Sequence, residues 1–272
     1  MRWTPGGRSP NLEDRRSTGG IGGRGLGIGG TVVVLALSLI FGRNLFTDLG
    51  VEPTLGATAA PMTAADSAAE EPQVQFVSFV MDDVQNTWAK ILPNFHPARV
   101  VLFRNSTESG CGAAQSAMGP FYCPLDERVY LDLGFFEELQ KRFGASGDFA
   151  RAYVIAHELG HHIQHLTGTD ARVRQAQESN PSAANELSVR LELQADCYAG
   201  VWAHSTDQRR ILQQGDVDEA LGAASAVGDD RIQKQTTGRV NVDSFTHGSA
   251  AQRSQSFKRG FESGDPRNCN TL

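Results

Sequence analysis

The sequence predicts an α+β domain, a small sheet packed on two long helices, carried behind one N-terminal transmembrane helix. Three observations predict it. Residues 25–42 hold no charged side chain around a dense apolar run, Thr31–Phe41. Two short runs rich in Val, Leu and aromatic residues, 99–104 and 128–133, read as strands. Two later stretches, 150–166 and 182–204, are free of Pro and repeat apolar residues at helical spacing.

Taken in order, the chain opens with a basic tail, in which Arg2, Arg8, Arg15, Arg16 and Arg24 stand against Glu13 and Asp14. As a helix, residues 25–42 span roughly 27 Å, just enough for the hydrocarbon layer. By the positive-inside tendency the tail, residues 1–24, stays in the cytoplasm and the bulk of the chain is extracytoplasmic. The expectation is a single-pass membrane protein that meets the lipid bilayer through residues 25–42. A cleaved signal peptide is the competing reading. Ala57-Thr58-Ala59 resembles a cleavage site, but it lies far beyond the apolar core.

Residues 43–72 are rich in Ala, Thr, Pro and acids and read as a flexible linker, leaving one domain over 73–272. Phe76, Val80, Val84, Trp88 and Ile91 follow a helical stripe suited to core packing. The strand at 99–104 is followed by a turn-rich stretch around Cys111 and the strand at 128–133, then by a helix over 135–143. Asp148 is placed to cap a helix that runs to Leu166 and stops before Thr167-Gly168. Asn180-Pro181 opens the last long helix, with Pro at its first helical position.

His157-Glu158-Leu159-Gly160-His161 lies inside the helix that ends at Leu166. Imidazoles four residues apart share one helix face and can grip a single metal ion. The mechanical reading is two zinc ligands, with Glu158 as a general base acting on water. The plain alternative is a solvated helix face. Ala152, Ala156 and Gly160, however, give this helix a smooth side on which another element can pack.

Catalytic zinc takes three protein ligands and keeps one position open. Glu192, 31 residues beyond His161, is the best third candidate. Asp196 shares its helix face and can accept a hydrogen bond from a ligand imidazole. An isolated Glu-x-x-x-Asp is usually two surface acids. Here Leu187, Leu191, Ala195 and Ala199 give the same helix a packed side. His162 points about 100° away from His161 around the helix. His165 lies on the ligand face one turn on and reads as a helix-end histidine.

Cys111, Cys123, Cys197 and Cys269 show no Cys-x-x-Cys spacing, which argues against a structural zinc knuckle. In an oxidising compartment four cysteines suggest two disulfides, with three connectivities open; we favour Cys111–Cys123 with Cys197–Cys269. Four reduced, buried cysteines in a cytosolic domain are the alternative. The formal net charge is −6, and no Lys/Arg block follows the apolar run, so nucleic acid is not an expected partner.

Several segments resemble one family. In order they are Cys111-Gly112-Ala113, Gly119-Pro120-Phe121-Tyr122-Cys123-Pro124, Val129-Tyr130-Leu131-Asp132, the His157–His162 motif, Glu192–Cys197 and Phe245–Ser249. Together they resemble the "putative neutral zinc metallopeptidase" family of bacterial membrane-anchored proteins, over nearly the whole chain apart from the linker. The resemblance implies a zincin-like metallopeptidase domain with a small sheet packed on the metal-binding helices. It implies Zn2+ held by His157, His161 and Glu192, Glu158 as the base, and a peptide or protein substrate. In related zinc peptidases a His or Tyr outside the metal's ligands donates to the oxyanion, and His247 or Arg253 can fill that role here. Otherwise Thr246 and Ser249 simply cap the helix leading to Phe261.

The expected function is therefore membrane-anchored, zinc-dependent peptide hydrolysis. A catalytically inactive zinc-binding envelope protein is the alternative, and an amidase acting on cell-wall peptides uses the same chemistry. An edge strand beside the motif helix can hold an extended peptide, either at 128–133 or near Gly119-Pro120-Phe121. Substrate sequence and oligomeric state are not legible.

Overall fold

Thr63 starts the first long helix. Its hydroxyl accepts from the Asp66 backbone N–H while the Asp66 carboxylate accepts from the Thr63 N–H, a capping box. The computed structural model describes residues 1–17 and 63–272, and α1 spans Ala64–Ile91. The capping box starts this helix ahead of Pro72, where the linker was expected to end. The helix runs through Pro72 and gives up one backbone hydrogen bond there. Of the predicted stripe, Phe76, Val80, Val84 and Trp88 are buried and Ile91 is partly so; Val77 and Met81 are buried beside them. The apolar run at 25–42 lies outside the described residues. Among the described residues no helix is long and apolar enough to cross a membrane.

The described residues form six strands: β1 (Leu12–Asp14), β2 (Arg99–Phe103), β3 (Ser106–Ser109), β4 (Gly112–Gln115), β5 (Phe121–Cys123) and β6 (Arg128–Asp132). The main sheet has the order β1-β2-β6-β5, while β3 and β4 form a separate antiparallel hairpin. β2 pairs in parallel with both β1 and β6, and β5 runs antiparallel to β6. The strand expected at 128–133 is thus interior. The edge beside it is β5, which is too short to stand out as a periodic run.

The N-terminal residues, expected as a separate basic tail, belong to this sheet. Leu12, Glu13 and Asp14 register against Val100, Val101 and Leu102. Arg16 is buried and pairs with Asp14 and Glu70, while Arg8 pairs with Asp14 and Glu71. Charges that look like a membrane flank in the sequence are here neutralised inside the fold.

Among the described residues seven further helices pack on the sheet and on one another: α2 (Gly134–Phe143), α3 (Asp148–Leu166), α4 (Thr169–Ser179), α5 (Ala184–Gln208), α6 (Asp216–Ala226), α7 (Asp229–Thr237) and α8 (Ala250–Ser263). α2, α3 and α5 lie where the sequence placed them, with Pro181 in a 3-10 turn ahead of α5. Asp148 does not cap α3; it is the first helical residue, and its carboxylate accepts from Trp3 Nε1 at 3.2 Å. The short α4 and α7 carry too few apolar residues per turn to stand out, and the buried face of α6 is mostly alanine. Disulfides join Cys111 to Cys123 and Cys197 to Cys269, the favoured pairing.

Two close approaches set the helices that carry the site. A Cβ on Gly160 would lie 3.1 Å from the Ala195 backbone, so α3 meets α5 at the glycine of the motif. α8 crosses α5 where Gly200 faces Phe257 and Gly260 faces Cys197, each glycine against a backbone carbonyl. A Cβ at either position would overlap that carbonyl. Gly260→Ala is expected to push α8 off α5 and to cost about 1–3 kcal/mol or more. Denaturant unfolding with both disulfides intact measures it, and an unchanged midpoint would show that the crossing tolerates a methyl group.

Candidate metal centre

α3 and α5 face each other at Gly160, and this brings their polar residues together one turn away. His157 Nε2 lies 3.2 Å from Glu192 Oε2, and His161 Nε2 lies 3.4 Å from Glu192 Oε1. The rings of His157 and His161 stand nearly perpendicular, with centroids 4.9 Å apart. One donor atom from each of the three residues falls within 4.8 Å of the others, a set found at no other place among the described residues. Ligands at about 2.0–2.1 Å in a tetrahedral site sit about 3.3 Å apart, so the three residues fit zinc.

Asp196, one turn beyond Glu192, is fully buried. Its Oδ1 accepts from His157 Nδ1 at 2.8 Å, from Arg253 Nη2 at 2.9 Å and from the Tyr153 hydroxyl; its Oδ2 accepts from Arg253 Nε at 2.8 Å. Donation from Nδ1 leaves Nε2 of His157 for a metal. Burial pulls the His157 imidazole down, but Asp196 and Glu192 outweigh it and raise it to about 10. Zinc must therefore displace a proton from this ring. Burial pushes the Glu192 carboxyl up, yet His161 and His157 hold it well below the usual carboxylate range.

His161 is oriented separately. Its Nδ1 lies 2.8 Å from Gln164 Oε1, and the Gln164 amide donates to the Leu191 carbonyl and to Gln194. Gln164 and Tyr153 were not singled out in the sequence. Both sit one turn from a ligand histidine, at 161+3 and 157−4, so helical spacing on the motif itself carries that signal.

Glu158 is 8% exposed and has no side-chain hydrogen bond or ion pair among the described residues. His162 faces away from the metal residues. It is fully buried between the Tyr122 hydroxyl and the His96 carbonyl, and burial pushes it down to about 4. His165 pairs with Asp170 at 2.9 Å and stays outside the cluster.

The two candidates near the C-terminus separate. Arg253 is 3% exposed; its guanidinium donates to both oxygens of Asp196, and its Nη2 lies 3.4 Å from His157 Nε2 and 4.0 Å from Glu192 Oε2. His247 sits on an exposed loop beside α5, near enough for its charge and that of Glu192 to act on each other. Asp229, at the start of α7, builds that loop. Its Oδ2 accepts from the backbone N–H of Thr246, His247 and Gly248, and its Oδ1 lies 3.3 Å from His247 Nδ1. Ser249 caps α8 with a capping box, and Thr246 takes no part in the cap.

With this geometry in hand, relatives can be compared. The family described as "Putative neutral zinc metallopeptidase" matches residues 1–272. The chain belongs to this family. It is 46% identical over 289 residues to "Uncharacterized protein YpfJ" of Escherichia coli (strain K12), covering 100% of this chain and 99% of that one. It is 48% identical over 202 residues to "Uncharacterized protein Rv2575" of Mycobacterium tuberculosis (strain H37Rv), covering 70% of this chain and 68% of that one. No solved structure matches. The family description agrees with a His-His-Glu zinc set, and the relatives' names add no substrate.

Two outcomes are expected of residues that touch the cluster without entering it. Gln164→Ala and Asp196→Asn should each weaken zinc binding about 10–100-fold, read by competition with a chromophoric chelator. Unchanged affinity in both would show that orientation of the rings is unimportant. The hydrogen bond from Asp229 is the main cause that raises His247 above its ordinary value, and His247 in turn lowers Asp229. A raised imidazole stabilises the fold below its unfolded pKa and loses that contribution as pH climbs through the folded value. A lowered carboxyl contributes above its unfolded pKa and loses it as pH falls. The pair therefore acts between about pH 4 and pH 6.5. In Asp229→Asn the NMR titration midpoint of His247 should fall, and an unmoved midpoint would break the pairing.

Proposed function

We propose that this protein is a zinc-dependent peptidase that hydrolyses peptide bonds, with Glu158 as general base. The observation that carries this reading is Glu158 itself. A purely structural zinc needs its ligands and their supports, but not a nearly buried carboxylate left without a partner beside them. Zinc, when bound, lowers the pKa of a coordinated water toward neutrality and polarises the scissile carbonyl. Glu158 takes a proton from the attacking water and delivers it to the leaving nitrogen, so the amine departs as the C–N bond breaks. Asp196 and Gln164 hold the two imidazoles with their Nε2 atoms turned to the ion. His247, fixed by Asp229, donates to the oxygen that gains charge.

The strand order supports a place for the substrate. β5 ends the sheet, and Tyr122 from it leans on α3 through His162 and His165. An extended peptide or protein segment pairing with this edge would run alongside the motif helix. Two disulfides support an oxidising location outside the cytoplasm. Attachment to a bilayer through residues 25–42 belongs to the same reading.

Glu158→Gln separates catalysis from zinc binding. The variant should keep its zinc while cleavage of a peptide library falls by at least about 10²–10⁴-fold, the usual contribution of a positioned acid–base group. Retained cleavage would sink the mechanism. Zinc bound by the parent protein with no cleavage across broad substrates would instead favour an inactive zinc-binding envelope protein.

A further inference from the structure

Residues 2–16 are built into the same body as the catalytic helices. The Arg2 N–H donates to the Ile211 carbonyl at 2.7 Å, and Ser9 Oγ donates to Asp82 on α1 at 2.7 Å. Trp3 packs edge-on against Phe76 with ring centroids 5.3 Å apart, and its indole N–H reaches Asp148 in the first turn of the motif helix. β1 pairs with β2, the Asn11 carbonyl accepts from the Val100 N–H at 2.9 Å, and the Arg15 N–H donates to the Leu102 carbonyl at 2.7 Å. The Arg16 side chain is 1% exposed, with Nη1 2.6 Å from Glu70 and Nη2 2.7 Å from Asp14.

These contacts also fix where the chain leaves the folded body and where it comes back. Arg16, at the end of the N-terminal segment, pairs with Glu70, which lies less than two turns into the helix that Thr63 caps. Departure and return therefore lie close together. Residues 18–62 contain the uncharged run 25–42. A single crossing there would put residues 1–17 and 63–272 on opposite sides of the membrane. It would strip β1 from the sheet and take from Glu70 its ion pair with Arg16. A strand cannot pair with its neighbour through a bilayer.

We infer that residues 1–17 and 63–272 occupy the same side of the lipid bilayer this chain meets. The cytoplasmic position expected for the N-terminus is replaced by one shared with the catalytic helices. The inference rests on packing alone and holds whether or not the protein is a peptidase.

Single cysteines introduced into the full-length chain test it. Thr4 and Lys258 are both exposed, one in each part, and the four native cysteines are paired in disulfides. Thr4→Cys and Lys258→Cys variants are expressed in Escherichia coli, and spheroplasts are treated with a membrane-impermeant maleimide before and after lysis. Both positions are expected to react at the same stage. Reaction of one before lysis and of the other only after it would overturn the inference. Pro10→Cys, also exposed, gives a second N-terminal position in case Thr4→Cys perturbs folding.

Discussion

The carboxylate of Asp196 is the point on which the rest of the site depends. It is fully buried, and three helices converge on it: α5 supplies the carboxylate, α3 supplies His157 and Tyr153, and α8 supplies Arg253. Removing such a charge from water costs several kcal/mol, and only a full set of donors offsets it. The donors here are a guanidinium from α8 and an imidazole and a phenol from α3. The packing of α3, α5 and α8 and the tautomer of His157 are therefore one arrangement. The glycine crossings at 160, 200 and 260 let the helix axes approach closely enough for these side chains to meet.

Much of this was legible beforehand because it repeats along a helix. His157, His161 and Glu158 lie within one turn and a half, and Glu192 with Asp196 lies within another, so periodicity alone assigns faces. The helix expected to end at Leu166 and the one expected after Pro181 followed from Gly and Pro punctuation, and the pairing favoured among three disulfide connectivities is the one formed. What escaped was set by tertiary contact. The pairing of Arg253 with Asp196 is one such contact, since nothing in the sequence links the two. Asp229 gave no signal, since it serves a loop through three backbone N–H groups and a carboxylate so used has no motif.

The N-terminus shows the same limit more sharply. Charge asymmetry around an apolar run is a sound guide to orientation when the flanking charges are free. Here Arg8, Arg15 and Arg16 are each matched by a carboxylate of the fold, so their charge is balanced within the folded body. A three-residue strand such as β1 is invisible to pattern reading, because period-2 alternation needs about four or more residues to be recognised.

Each part of α3 is held by a different element. Trp3 reaches Asp148 in its first turn, Tyr153 and His157 bind Asp196 in the middle, Gly160 meets Ala195, and Tyr122 with the His96 carbonyl grips His162 near its end. A helix so restrained cannot rotate to follow its ligands, so His157 and His161 are set by the protein before any metal arrives. Glu158, which stands between them in the sequence, makes no side-chain hydrogen bond or ion pair among the described residues. A His-Glu-x-x-His pentapeptide on a free surface helix has the same residues and none of this. The chemistry is carried by the surroundings of the motif, which are what turn two histidines and a glutamate into a prearranged site.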